Sequence, residues 1–310
     1  MSPYYGPTPE SPSEVMLERT FLSAGYLTGF GFGVQLVIYC ACIYTLWTKQ
    51  QSARSTKIFI PYLTLLCLLN LLWTATSAYG LQLTFIDNRN YPGGVIGFLG
   101  IEFALPTNVA STASYIASNL LADALMVWRC YVVWSAAPNT KRATTLAAIA
   151  LPSFMFLGSL ILAILFALQT TGPEGLFSSI TTAFGTPFFG LSMVLNMVIT
   201  ALIAVRIWDY RRRGQVSSTY GDSKISFGAI FIESAALYSI ISLLLVVTFS
   251  IQHPINQIWL GLAPATQLVA NYLIILRIAY GTALARDSDS TTTTSTEGYG
   301  GSEEEKPLPP

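Results

Sequence analysis

Charge is scarce in this chain. Only 10% of its 310 residues are Asp, Glu, Lys or Arg, and 52% are hydrophobic, where about 25% charged is usual for a soluble domain. That balance points to a polytopic membrane protein. The formal net charge is zero, so there is no electrostatic basis for binding nucleic acid. Histidine occurs once, as His253 in a connector. Seven-helix intramembrane metallohydrolases need several imidazole ligands and are thereby excluded; no metal or cofactor is expected. No lysine falls inside an apolar segment, which excludes a retinal Schiff base. There is no Gly-x-Gly-Asp pair of catalytic aspartates, and no Ser–His pair can form within the apolar segments. An enzyme would have to rest on Asp123 and Glu233 alone, so no catalytic residue is assigned. Cys40, Cys42, Cys67 and Cys130 all lie in apolar stretches, and no structural disulfide is expected. No Asn-X-Ser/Thr acceptor is present. The first nineteen residues are polar and Pro-rich and lack the basic start and short apolar core of a secretory signal.

What is abundant is apolar length. Seven segments approach or exceed the ~20 residues that a spanning helix needs: 21–47, 58–82, 105–135, 143–168, 182–208, 225–250 and 256–282. The basic residues gather on alternate connectors: Lys49, Arg54 and Lys57; Arg129, Lys141 and Arg142; Arg206, Arg211, Arg212, Arg213 and Lys224; Arg277 and Arg286. Only Arg19 and Arg89 fall on the other side. The excess of positive charge marks the cytosolic side. The expected fold is therefore an all-α membrane protein, a seven-transmembrane helix bundle with its N-terminus outside and its C-terminus cytosolic. Residues 1–20 form a polar extracellular segment, 21–285 the transmembrane domain, and 286–310 a disordered cytosolic tail of Ser, Thr, Gly and Glu that lacks the apolar content to fold. Trp47, Trp128, Trp134 and Trp208 near inner helix ends, and Trp259 near an outer end, read as headgroup-level anchors. The longest outer connector, Leu83 to Ala104, carries a turn signature at 87–94 and then turns apolar from Val95 to Phe103; an ordinary loop is the expected form, with a lid over the bundle mouth or a dip into the interface as the alternatives. Pro187 and Pro264 lie far enough inside their segments to kink them.

The third segment is the organising one. Wound at about 100° per residue, Asn108, Thr112, Tyr115, Asn119, Asp123, Met126 and Cys130 fall within roughly an 80° arc. Such a stripe cannot face lipid, since unpaired polar groups there cost several kcal/mol. Asp123 is the expensive member, because a carboxylate near a bilayer centre is roughly 2.5–3.5 kcal/mol unfavourable on insertion scales. Asn108, Thr112, Tyr115 and Asn119, with Gln267 and Asn271 opposite, outline a ligand-binding cavity in the outer half. Asp123, Arg129, Glu233 and Arg277 can meet in the inner half as an acid–base switch network that ties the third, sixth and seventh segments. Asn70 and Asn196 add interhelical amides, and Ser114, Ser118 and Ala122 form a small-residue row for close packing.

Three motifs carry a resemblance: Leu121-Ala-Asp-Ala-Leu-Met-Val-Trp-Arg-Cys-Tyr-Val-Val-Trp134, Glu233-Ser-Ala-Ala-Leu-Tyr-Ser239, and Gly261-Leu-Ala-Pro264 with the late Arg277. With these, the chain from about 20 to 285 resembles a seven-transmembrane, G-protein-coupled-receptor-like family expanded in basidiomycete fungi, whose activity is unassigned. The resemblance implies membership, not a function; the first expectation is a receptor-like plasma-membrane protein that senses a small or lipophilic ligand, with a heterotrimeric G protein as the partner at the cytosolic face. Trp128-Arg129-Cys130-Tyr131 stands where rhodopsin-like receptors carry an acidic-Arg-Tyr triplet, without the adjacent acid. The Asn-Pro-x-x-Tyr spacing is also absent around Asn271-Tyr272. The alternative is a small-molecule or lipid transporter with Asp123 as the coupling carboxylate, which lacks the internal repeat such proteins often carry.

Overall fold

The fold is taken from a computed structural model, which describes residues 11–49, 56–135, 142–171, 175–212 and 236–297. Among the described residues every regular element is helical. The helices are α1 (Pro12–Lys49), α2 (Thr56–Gln82), α3 (Gly94–Glu102), α4 (Pro106–Ser135), α5 (Arg142–Thr170), α6 (Ser179–Arg212), α7 (Ala236–Ser250) and α8 (Asn256–Glu297). All but α3 and α7 are long and apolar enough to cross a membrane. The described part of α7 is shorter, and positions 225–235 of the expected sixth segment lie outside the described residues. The architecture is that of an α-helical membrane protein with six long apolar helices. The outward faces agree. On α5, Phe154, Leu157, Ile161, Ile164 and Leu168 form an exposed stripe at alternating three- and four-residue spacing, and on α7 Ile240, Leu243 and Val247 do the same. Contiguous apolar surface of this kind is an aggregation site in water and an ordinary surface in lipid.

Two helices depart from the lengths expected of their apolar runs. Helix α1 starts at Pro12 rather than near 21, because Ser11 and Glu14 close a capping box. The backbone N–H of Ser11 donates to Glu14 Oε2 at 2.7 Å, its hydroxyl to the same oxygen at 2.8 Å, and Pro12 occupies the first helical position. Helix α8 continues to Glu297, into the stretch 286–310 expected to be a disordered tail. A packed span supplies the nucleus, and adding residues to an existing helix is far easier than starting one. Positions 298–310 lie outside the described residues.

The connector expected to be an ordinary loop is ordered helix. A π-turn at Leu83–Asp87 ends α2, with Asn88 returning both its backbone N–H and its side-chain amide to the carbonyl of Leu83. Gly93 (φ 87°) and Gly94 (φ 68°) make the left-handed bend that starts α3. Val95, Phe98 and Leu99 are then buried, which seats α3 on the π-turn and α1.

The core falls into three apolar clusters. Phe166, Phe188, Phe189 and Phe249 interlock α5, α6 and α7 in stacked and edge-on pairs with centroids 5.0–6.2 Å apart. Cys42, Leu63, Leu66, Ala122, Leu268 and Tyr272 join α1, α2, α4 and α8. Met126, Cys130, Leu195, Ile199 and Ile274 join α4, α6 and α8. Tyrosines stitch the helices through backbone carbonyls: the hydroxyl of Tyr62 on α2 donates to Leu121 on α4, and that of Tyr272 on α8 to Leu63 on α2. The membrane-length part of α8 is the most buried of the six, with 72% of its apolar window inside against 50% for α4. Both helices are therefore central. Helix α4 contacts α2, α5, α6 and α8, and α8 lies along α1.

Candidate functional site

Two linked features occupy the interior. The first is a cavity of about 120 Å³ lined from α1, α2, the π-turn, the end of α3, α4, α5 and the start of α8. Its walls are aromatic: Phe21, Trp73, Phe85, Phe103, Tyr115 and Phe166. Of the six residues expected to bind a ligand, Asn108, Thr112 and Tyr115 line this cavity. Asn119, Gln267 and Asn271 do not; they lie further along α4 and α8, in the second feature.

One cavity residue was not anticipated. Glu102, the last residue of α3, reaches the space from the connector. Thr84 in the π-turn donates its hydroxyl to Glu102 Oε2 at 2.6 Å. Glu102 Oε1 rests over Gly80, where a Cβ would come within 2.7 Å. Burial pushes the Glu102 carboxyl above its ordinary pKa, against the opposing pull of the Thr84 hydroxyl. Three residues of the lining, Trp73, Tyr115 and Gln257, each carry a polar atom (Nε1, Oη and Nε2) that is buried without a hydrogen-bond partner. Unpartnered buried polar groups are uncommon in folded proteins, and here three share one cavity.

The second feature is a buried polar core around Asp123. Its Oδ2 accepts from the Ser192 hydroxyl at 2.7 Å and its Oδ1 from Gln267 Nε2 at 2.8 Å. Ser192 Oγ also lies 3.1 Å from the Tyr238 hydroxyl. Since the serine proton goes to Asp123, Tyr238 is the donor in that pair. Tyr238 further bonds Ser242 and Asn119. One carboxylate thus holds α4, α6, α7 and α8 together. One turn beyond Gln267, Asn271 takes Arg129: Nη2 donates to the Asn271 carbonyl at 3.0 Å, with Nη1 3.4 Å from its side-chain oxygen. Asp123, Met126, Asn196, Tyr238, Gln267 and Asn271 line a further space of about 10 Å³, about the size that admits one water.

The four residues expected to form a switch network separate as follows. Asp123 and Arg129 are both buried, and each bonds to its own amide residue on α8 rather than to the other. Among the described residues no carboxylate lies within ion-pair distance of Arg129. Glu233 lies outside the described residues, as does the side chain of Arg277. The polar stripe of α4 faces inward, with Thr112, Tyr115, Asn119, Asp123, Met126 and Cys130 all buried. Asn70 is also buried and bonds Gln35 on α1 through their side-chain amides.

Sequence reasoning missed Glu102, Thr84, Ser192 and Tyr238. Glu102 had one usable signal, since it is the sole charge in the apolar run Val95–Phe103. Ser192 had none, because a lone hydroxyl in an apolar segment reads the same whether it meets a carboxylate or its own helix; Tyr238 stands in the Glu233–Ser239 motif, which marks the residue but not its partner. Among the described residues no group of three or more His, Cys, Asp or Glu side chains is placed to hold a metal ion. No protein-family model, curated protein or solved structure matches the chain.

Proposed function

We propose that the protein is a receptor-like sensor of a small or lipophilic ligand, a seven-span bundle in the plasma membrane with its cavity outside and its basic connectors in the cytosol. The observation that carries this reading is the continuity of one helix face. Tyr115 lines the cavity, Asn119 follows one turn on, and Asp123 one turn beyond that. A ligand that displaces Tyr115 therefore acts on the helix whose next turns hold Ser192, Tyr238 and Gln267. The Asp123–Gln267 and Arg129–Asn271 contacts are two rungs between α4 and α8. Releasing them lets the inner helix ends separate, with Glu233 and Arg277 as further members of the network, and a heterotrimeric G protein is the partner that reads the opened face. The resemblance to the fungal receptor-like family points the same way. A transporter coupled through Asp123 is favoured less, because the cavity lining includes neither Asp123 nor Gln267.

The test is ligand-independent signalling in a yeast reporter strain that carries a panel of chimeric G proteins. Wild type is compared with Asp123→Asn and Gln267→Ala at matched surface expression. The expected result is a raised basal output in both variants. Output equal to wild type across the panel, with the proteins confirmed at the surface, overturns the receptor reading. Loss of proton-driven uptake in Asp123→Asn alongside a silent reporter moves the assignment to transport.

A further inference from the structure

The proposal that follows rests on the reading of the outer cavity as a ligand pocket. From the cavity's chemistry we infer that its ligand is a small protonated amine with one aromatic ring and an oxygen substituent on that ring. The ammonium sits on Glu102, and the ring lies among Trp73, Tyr115 and Phe166.

Four observations set this class. Charge comes first: Glu102 is the only Asp, Glu, Lys or Arg on the lining. Thr84 occupies its Oε2, while Oε1 has no hydrogen-bond partner among the described residues. A half-buried carboxyl with one oxygen open to an otherwise uncharged cavity is a site for a cation, since a charge-assisted bond there is about twice as strong as a neutral one. The walls come second. Six aromatic side chains line the space, and Trp73 and Tyr115 pack with centroids 5.0 Å apart. Aromatic faces attract a cation as well as a ring.

Size comes third. A cavity of about 120 Å³ compares with the ~150 Å³ apolar cavity that takes one benzene. One ring fills the enclosed part, and a short chain brings the ammonium to Glu102. This excludes sterols and long lipids as fully enclosed ligands. The deep polar atoms come last. Trp73 Nε1 and Gln257 Nε2 can only donate, and with the Tyr115 hydroxyl they are buried without partners. Each is sealed off at rest, so they take an acceptor only as the Tyr115 side chain is displaced, and a ring oxygen on the far end of the ligand supplies it.

The test uses the full-length protein in nanodiscs and three probes: tyramine, 2-phenylethylamine without the ring oxygen, and 2-(4-hydroxyphenyl)ethanol without the charge. Binding is read by calorimetric titration, for wild type and for Glu102→Gln, a near-isosteric change. Tyramine is expected to bind wild type about 10- to 100-fold more tightly than the alcohol, and to lose that advantage in Glu102→Gln. The alcohol is expected to bind both proteins alike, and 2-phenylethylamine to fall between the two. Tyr115→Phe should weaken tyramine while leaving 2-phenylethylamine unchanged, which separates loss of the ring-oxygen contact from misfolding. Equal binding of tyramine and the alcohol to wild type, undiminished tyramine binding to Glu102→Gln, or no binding of any probe overturns the proposal. The readout is binding alone, so it is separable from signalling. Amine binding with a silent reporter leaves the ligand class standing and removes the receptor reading. Raised basal output in Asp123→Asn without amine binding does the reverse.

Discussion

Gln267 on α8 donates its side-chain amide to the Asp123 carboxylate on α4 at 2.8 Å, and both residues are buried. The bond closes a polar core that is otherwise shut in by Met126, Ala270 and Ile274. Its importance lies less in what it adds than in what its loss leaves behind, a buried acceptor beside a space of about 10 Å³ that holds one water at most.

Gln267→Leu keeps roughly the volume of the side chain and removes the donor. It should lower stability by about 1–3 kcal/mol, the cost of stranding a buried acceptor. Adding Asp123→Leu removes the stranded acceptor as well, so the double variant should be more stable than Gln267→Leu alone. Thermal unfolding in detergent, followed by tryptophan fluorescence, compares wild type, each single variant and the double variant. A double variant that loses the sum of both single effects would show that the bond does not couple the helices.

Glu102 makes stability depend on pH in a direction opposite to that of a salt-bridged acid. Burial raises its carboxyl pKa in the folded protein, so the folded state holds this proton more tightly than the unfolded state. Below the ordinary carboxylate range both states are protonated and Glu102 costs nothing extra. As pH rises through the unfolded value and on to the folded one, the unfolded state sheds the proton first and wild type loses stability. Glu102→Gln cannot titrate. Its unfolding temperature should therefore match that of wild type at about pH 4 and exceed it increasingly towards about pH 7, with the gap constant above the folded pKa. Thr84→Val removes the hydroxyl that favours the ionised form, and should widen the gap. A gap independent of pH would mean that Glu102 is solvated in the folded protein.

The helical class, the long spans and the inward stripe of α4 were legible in the sequence because a bilayer imposes them. Apolar length and a 3.6-residue polar period leave few alternatives. Asp123 stood out for the same reason. Its partners did not, because Ser192, Tyr238 and Gln267 come from three other helices, and nothing in their local sequence records which helix they meet. Arg129 reads naturally as one half of an ion pair, yet its bonds go to the carbonyl and side chain of Asn271. A guanidinium with five donors can be satisfied by neutral oxygens, which sequence scanning for opposite charges does not find. Glu102 was hidden by its surroundings. Loop signals at 87–94 favoured an ordinary loop over a lid for the apolar run that follows, whereas Val95, Phe98 and Leu99 bury one face of α3 and carry Glu102 into the cavity.

The pairing of α1 with α8 depends on Gly261. A Cβ at this position would stand 2.5 Å from Thr28 Oγ1 and 3.1 Å from the carbonyl oxygen of Ala24. Thr28 cannot simply swing aside, because its hydroxyl already donates to that same carbonyl at 2.8 Å and its side chain is buried. The second clash is with backbone, so relief requires the two helices to move apart. Gly261→Val should cost about 1–3 kcal/mol through overpacking. It should also disturb the cavity, since Gly261, Ala24 and Thr28 all line it. Gly33→Ala on α1 is the matched control. Nothing lies within 4 Å of the added Cβ there, and alanine favours helix over glycine by about 0.5–1 kcal/mol. Thermal unfolding in detergent should therefore show Gly261→Val well below wild type and Gly33→Ala equal to it or above. If the two substitutions destabilise alike, the loss would come from changing glycine itself, and close approach of α1 and α8 would not be what holds these helices together.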